Sequence, residues 1–160
     1  MTTKTQKKEG KLVGKKHVDE LVRNYKKQRW TFNSQRLGKE DSLSTTFNLE
    51  SLSEFLQRAS QVKADSIRVY FGVYPENFEE HPEYSNRQTV VMVATKQTTL
   101  ENGKKVDKEI YIKKKEGYDI LAFNFGKICP PDCGTGLPPD NDSGSIGITI
   151  FTNKKGMRII

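Results

Sequence analysis

The stretch Ser66–Tyr74, SIRVYFGVY, decides how the rest of the chain is read. Its period is two. Ile67, Val69, Phe71 and Val73 fall on one side and Arg68, Tyr70, Gly72 and Tyr74 on the other, the alternation of a half-buried β-strand. A strand needs a neighbour, and the next regular stretch supplies one. Gln88–Gln97 contains VVMVAT, apolar on both faces at its centre, which predicts an interior strand. Asn102-Gly103 separates that run from Val106–Ile112, the pattern of a hairpin closed by a type I′ turn.

Upstream the period changes to that of a helix. Asn48 is placed to cap it, with Glu50 in the first turn and Phe47 and Leu52 spaced as a hydrophobic staple. Leu49, Leu52, Phe55, Leu56, Ala59 and Val62 make the expected core stripe. An earlier helix is predicted over His17–Arg29, where Val18, Leu21, Val22 and Tyr25 share a face and Asp19 and Arg23 are spaced for an i,i+4 pair. A polar connector over Asn33–Thr46 is expected between the two helices.

Downstream, Lys113, Lys114 and Lys115 break the strand pattern and would discourage edge pairing. Tyr118–Phe125 reads equally as strand or buried loop. Pro130-Pro131, Gly134, Gly136, Pro138-Pro139 and Gly144 mark an irregular stretch, and Ile146–Thr152 with Met157–Ile160 suggests a final hairpin. The expected fold is α+β: two N-terminal helices packed on a mostly antiparallel sheet of four to five strands, in two layers. Residues 1–15 have no hydrophobic period and are expected to form a mobile basic tail, with 16–160 as a single domain.

The segments TFNLESLSEFL (46–56), IRVYFGVYPEN (67–77), RQTVVMVATK (87–96) and FNFGKICPPDC (123–133) resemble the recurring pattern of a group of small bacterial proteins with no assigned activity. The order of the segments, over about two-thirds of the chain, is more specific than any one of them. The resemblance implies a bacterial origin and a shared fold, and carries over no functional residue.

Charge locates the first candidate surface. Met1–Lys39 carry twelve Lys/Arg against three acids, whereas Glu40–Ile160 carry fifteen against seventeen. An anionic partner would meet the N-terminal quarter first. Lys7, Lys8, Lys11, Lys15, Lys16, Arg23, Lys26, Lys27 and Arg29 are therefore candidate nucleic-acid contacts, with Tyr25 and Trp30 available to stack on bases. No helix-turn-helix, RNP or KH pattern accompanies them.

The second candidate surface is the loop Pro75–Asn86. Glu76, Glu79, Glu80 and Glu83 crowd around Phe78, His81 and Tyr84 with no base before Arg87, which suits docking of a basic protein partner through charge and exposed aromatics. Cys129 and Cys133, in Cys-Pro-Pro-Asp-Cys, are candidate metal ligands, but two further ligands of a tetrahedral site are missing. Otherwise the pair is two thiols in a stiff loop, or one short disulfide under oxidation. The C-x-x-C redox spacing is not matched. Gly134-Thr135-Gly136 and Asp142–Ser145 lack the ending of a phosphate loop.

No catalytic residue and no cofactor is expected, because no residue pattern names a reaction. There is no apolar run of membrane-spanning length and no secretory leader pattern, so a cytoplasmic protein is expected. Its function is read as that of a small non-enzymatic interaction protein docking another protein through its sheet and acidic loop. The alternative is a nucleic-acid-associated protein acting through its basic N-terminus.

Overall fold

The computed structural model describes residues 9–133, 150–153 and 156–159. The fold is α+β, with antiparallel strands. The chain divides into two compact units, Met1–Phe32 together with Gly136–Ile160, and Asn33–Thr135.

In the first unit helix α1 (Lys15–Tyr25) carries the expected pair, Arg23 Nε donating to Asp19 Oδ2 at 2.8 Å. Lys26–Trp30 is π-helical, and the Thr31 hydroxyl donates to the Lys26 carbonyl at 2.9 Å. Thr31–Leu37 is α2, of which Asn33–Leu37 belong to the second unit. The connector predicted from Asn33 is thus partly helical. No Gly or Pro interrupts the chain until Gly38, which takes φ +66° and donates its N–H to the Gln35 carbonyl, a glycine stop. The predicted final hairpin is Ile150–Asn153 paired antiparallel with Gly156–Ile159.

The second unit begins its sheet structure with β1 (Ser44–Thr46) and then α3 (Leu49–Gln61), capped as expected by Asn48, whose Oδ1 accepts the Ser51 N–H at 2.7 Å. Strands β2 (Ser66–Val73), β3 (Gln88–Thr99) and β4 (Lys105–Glu109) follow in spatial order, all antiparallel. The β3–β4 turn corrects the predicted type I′. Leu100 N–H bonds to the Lys104 carbonyl, and Gly103 N–H returns to the Leu100 carbonyl, leaving a three-residue loop. Only Gly103 has positive φ there, because the Asn102 side chain instead accepts the Lys104 N–H at 3.0 Å.

Beyond β4 the chain leaves the sheet and returns. β5 (Tyr111–Lys114) and β6 (Gly117–Ile120) form a hairpin of their own, so Lys113 and Lys114 are paired as the last two residues of a strand, opposite Tyr118 and Gly117. The two-residue β7 (Ala122–Phe123) rejoins β3 opposite Met92 and Val93. Ala94 marks the junction: its carbonyl accepts from Ile110 N–H and its N–H donates to the Leu121 carbonyl. β8 (Lys127–Cys129) pairs with β1.

The core gathers at this junction. Phe55 and Ala59 of α3 pack with Ala94 and Leu121, joined by Ile67, Met92, Ile110, Ile112 and Phe123. The expected helix stripe is therefore only partly covered. Leu49 is 83% exposed, and Leu56 and Val62 are also exposed, because only the turns carrying Phe55 and Ala59 reach the sheet.

Candidate protein-docking site

Strand β2 occupies the edge of its sheet: among the described residues it pairs with β3 alone. Its outer backbone edge has no strand partner among those residues. The alternation read from sequence is present, but burial is not uniform along it. Ile67 joins the core, whereas Val69, Phe71 and Val73 on the same face are exposed, Phe71 by 83%. On the opposite face Arg68 reaches across β3 to β4. Its guanidinium meets the Glu109 carboxylate, bonds the Asp107 carbonyl at 2.7 Å and donates to the Tyr70 hydroxyl at 3.1 Å. The Tyr70 hydroxyl in turn donates to Glu109 at 2.6 Å. That hydrogen bond, with the guanidinium beside it, holds the Glu109 carboxyl below its ordinary range. One face of β2 carries this polar network, and the other is open and apolar from Val69 to Val73.

The acidic loop follows directly. Tyr74 is buried and stacks on Phe78 with centroids 4.4 Å apart. Tyr84 lies in the 3-10 turn Pro82–Tyr84 and is 5% exposed, which corrects its placement as an exposed docking residue. The cause is a distant segment. Ile128 packs against Tyr74 and Tyr84, and the Tyr84 hydroxyl donates to Asp132 Oδ2 at 2.5 Å. Burial first, then this bond to a carboxylate, pushes the phenol up to about 12. Phe78 is half-buried, while Glu76, Glu79, Glu80 and Glu83 are exposed as expected. His81 stacks on Tyr84 at 4.9 Å and approaches Glu83 through Nδ1 at 3.3 Å.

Phe125, 57% exposed, also reaches the cluster, 6.0 Å from Phe78 and 6.5 Å from Tyr74. Sequence reading did not assign it to this site. The available signal was the FNFG run, too short to set its direction. Lys39 Nζ donates to the Ser85 carbonyl at 2.8 Å and Arg87 Nε to the Glu83 carbonyl at 2.9 Å, fastening the loop's far end.

Cys129 and Cys133 are joined, S–S 1.95 Å, so the metal-ligand candidacy of this pair falls: bonded sulfurs are not thiolates. No group of three or more His, Cys, Asp or Glu placed to hold a metal ion occurs among the described residues.

In the basic segment Lys11, Lys15, Lys16, Arg23, Lys27 and Arg29 are exposed, and Lys7 and Lys8 lie outside the described residues. Lys26 is buried, which corrects its candidacy as a phosphate contact. Burial, with Arg23 nearby, pulls its ammonium below the usual lysine range. The glycine segments 134–136 and 142–145 also lie outside the described residues.

No helix among the described residues is long and apolar enough to cross a membrane. Comparison of the chain with protein-family models, curated proteins and solved structures finds no match.

Proposed function

We propose that this chain is a non-enzymatic interaction protein that takes up an extended segment of another protein along β2. The observation that carries the reading is the coincidence of an edge left unpaired among the described residues with the open apolar row Val69, Phe71 and Val73. Strand addition uses both: the edge supplies main-chain hydrogen bonds, and alternate side chains supply the contacts that select the partner. The exposed carboxylates of Glu76, Glu79, Glu80 and Glu83 begin three residues past the end of β2. An antiparallel guest strand starts beside Val73, so its basic residues belong at its N-terminal end. A cytoplasmic location and kinship with the small bacterial proteins sharing the CPPDC element belong to the same proposal.

The test is binding of an array of ten-residue peptides that alternate apolar and polar residues, with Lys/Arg at the N-terminal end, the C-terminal end or neither. Peptides with N-terminal bases should bind best. Phe71→Glu should abolish binding while leaving the urea midpoint nearly unchanged, because Phe71 buries little. Equal binding by wild type and Phe71→Glu defeats the reading. So does concentration-dependent dimerisation through β2, which would make the guest a second copy.

The basic N-terminal segment supports a second reading. Helix α1 has no fully buried residue, and its Lys and Arg side chains are exposed. Nucleic-acid association through this segment predicts binding to random-sequence RNA or DNA that falls steeply with salt. No binding at about 50 mM salt would remove that alternative.

A further inference from the structure

We propose that the Cys129–Cys133 bond is a redox latch on the acidic loop. While the bond is closed Asp132 is presented to Tyr84 and the loop is fastened; when a dithiol reductant opens it, the loop is released.

The sequence between the sulfurs explains why the bond matters. Only Pro130, Pro131 and Asp132 separate them, and the two prolines have no N–H to hold the segment to its surroundings. The two ends are anchored unequally. Cys129 ends β8, opposite Ser44, and its carbonyl accepts the Leu43 N–H at 2.6 Å, next to fully buried Ile128. Cys133 is exposed, and its own N–H bonds to the Pro131 carbonyl, while Asp132 N–H bonds to the Ile128 carbonyl. Those contacts are local to the turn. The sulfur bridge is the covalent restraint that ties the Asp132 end back to β8.

Asp132 in turn holds the loop from outside. Its carboxylate accepts the Tyr84 hydroxyl across 48 residues of sequence, and Tyr84 is the buried residue of the 3-10 turn at the C-terminal end of the acidic run. The chain of contacts therefore runs from the disulfide through Asp132 and Tyr84 to His81 and the turn that carries Glu83. Opening the bond leaves the Tyr84 hydroxyl without a fixed acceptor and weakens the hold on the turn.

The chemistry balances with the reductant named. A thiolate of the dithiol attacks the exposed Cys133 sulfur, forms a mixed disulfide and expels the Cys129 sulfur as a thiolate. The second thiol of the reductant then attacks the mixed disulfide and releases Cys133. Two electrons and two protons pass to the protein, which gains two thiols, and the reductant becomes a disulfide. In the cytoplasm proposed above, thiols are kept reduced and a disulfide is ordinarily transient, which is the setting of a latch rather than a staple. The consequence for docking rests on the β2 reading, since release would unfix the carboxylates at the end of that strand. The latch itself does not rest on it.

The experiment compares the full-length chain oxidised, reduced with dithiothreitol, and as Cys129→Ser/Cys133→Ser, with two free thiols per chain verified in the reduced sample. Amide exchange of residues 76–86 should rise at least tenfold on reduction, with exchange in α3 unchanged. Ultraviolet titration, read as wild type minus Tyr84→Phe, should place the Tyr84 phenol at about 12 when oxidised and lower when reduced, by the share of the rise that the Asp132 carboxylate supplies. The double serine variant should match the reduced form without reductant, and Asp132→Ala should mimic it with the disulfide intact. Unchanged loop exchange after complete reduction overturns the latch. Exchange that rises equally in α3 also overturns it, because the bond would then be a staple for the whole unit. Peptide binding separates the two proposals: loop opening without any peptide binding upholds the latch and sinks the β2 reading. Equal binding in both redox states upholds the β2 reading and overturns the latch's bearing on it.

Discussion

Phe55 stacks on Phe123, ring centroids 5.1 Å apart and planes 17° from parallel. Phe55 comes from the middle of α3 and Phe123 from a strand of only two residues, too short to be held by its ladder alone. Phe47 meets Phe123 from another side at 5.1 Å. The helix is thus fixed to the sheet where the chain returns from the β5–β6 hairpin.

Truncating that contact should be costly. Phe55 is 4% exposed, so Phe55→Ala removes a buried ring and leaves a cavity, an expected loss of about 3–5 kcal/mol. Arg58, on the exposed side of the same helix, should change stability by no more than about 0.5 kcal/mol when replaced by alanine. Urea midpoints of the two variants check this. Equal shifts would mean that the helix packs by a different face.

The Phe55 side was legible in the sequence, and so was the alternation of β2, because both follow from local periodicity. How far each apolar row is covered was not legible. Leu49 and Phe71 satisfy their patterns as well as Phe55 and Ile67 do, yet both are 83% exposed. Coverage depends on where α3 crosses the sheet, which no local pattern encodes. The acidic loop was found by composition, but Tyr84 was given to the wrong side. Its burial depends on Ile128 and Asp132, more than forty residues away. The π-helical turn left no signal in Lys26–Trp30 that distinguishes it from an ordinary helix.

Thr89 offers a test of polar burial. It is 4% exposed on β3, and its hydroxyl has no hydrogen-bond partner among the described residues. Valine has nearly the same shape and keeps the β-branch that suits a strand. Thr89→Val should therefore raise stability by about 1 kcal/mol, seen as a higher urea midpoint at unchanged slope. A loss of that size would mean that the hydroxyl is satisfied by internal water.

Gly126 is required by space rather than by backbone conformation. It is buried beside β1, where an added Cβ would lie 2.7 Å from two ring carbons of Phe47 and closer still to the Thr45 methyl. Gly126→Ala must displace β1 or the Phe47 ring and should cost about 1–3 kcal/mol. Combining it with Thr45→Ser, which removes the nearest methyl, should recover part of the loss. No recovery in thermal or urea unfolding would locate the strain at Phe47 instead.

Tyr84 makes stability depend on alkaline pH. In the folded chain its phenol is raised to about 12, whereas an unfolded tyrosine ionises near 10. The fold therefore holds the proton more tightly than the unfolded chain does. The resulting stabilisation is complete below about pH 10 and drains away as pH rises from there through 12. Tyr84→Phe has no proton to lose at that position. It should be less stable at neutral pH by about 1 kcal/mol, the net worth of the hydrogen bond to Asp132. Its urea midpoint should then fall less than that of wild type between pH 9.5 and about 11.5, bringing the two curves together. The other five tyrosines and the lysines titrate in both proteins and cancel in the difference. Parallel curves over that range would mean that the Tyr84 phenol is not buried against Asp132 in solution.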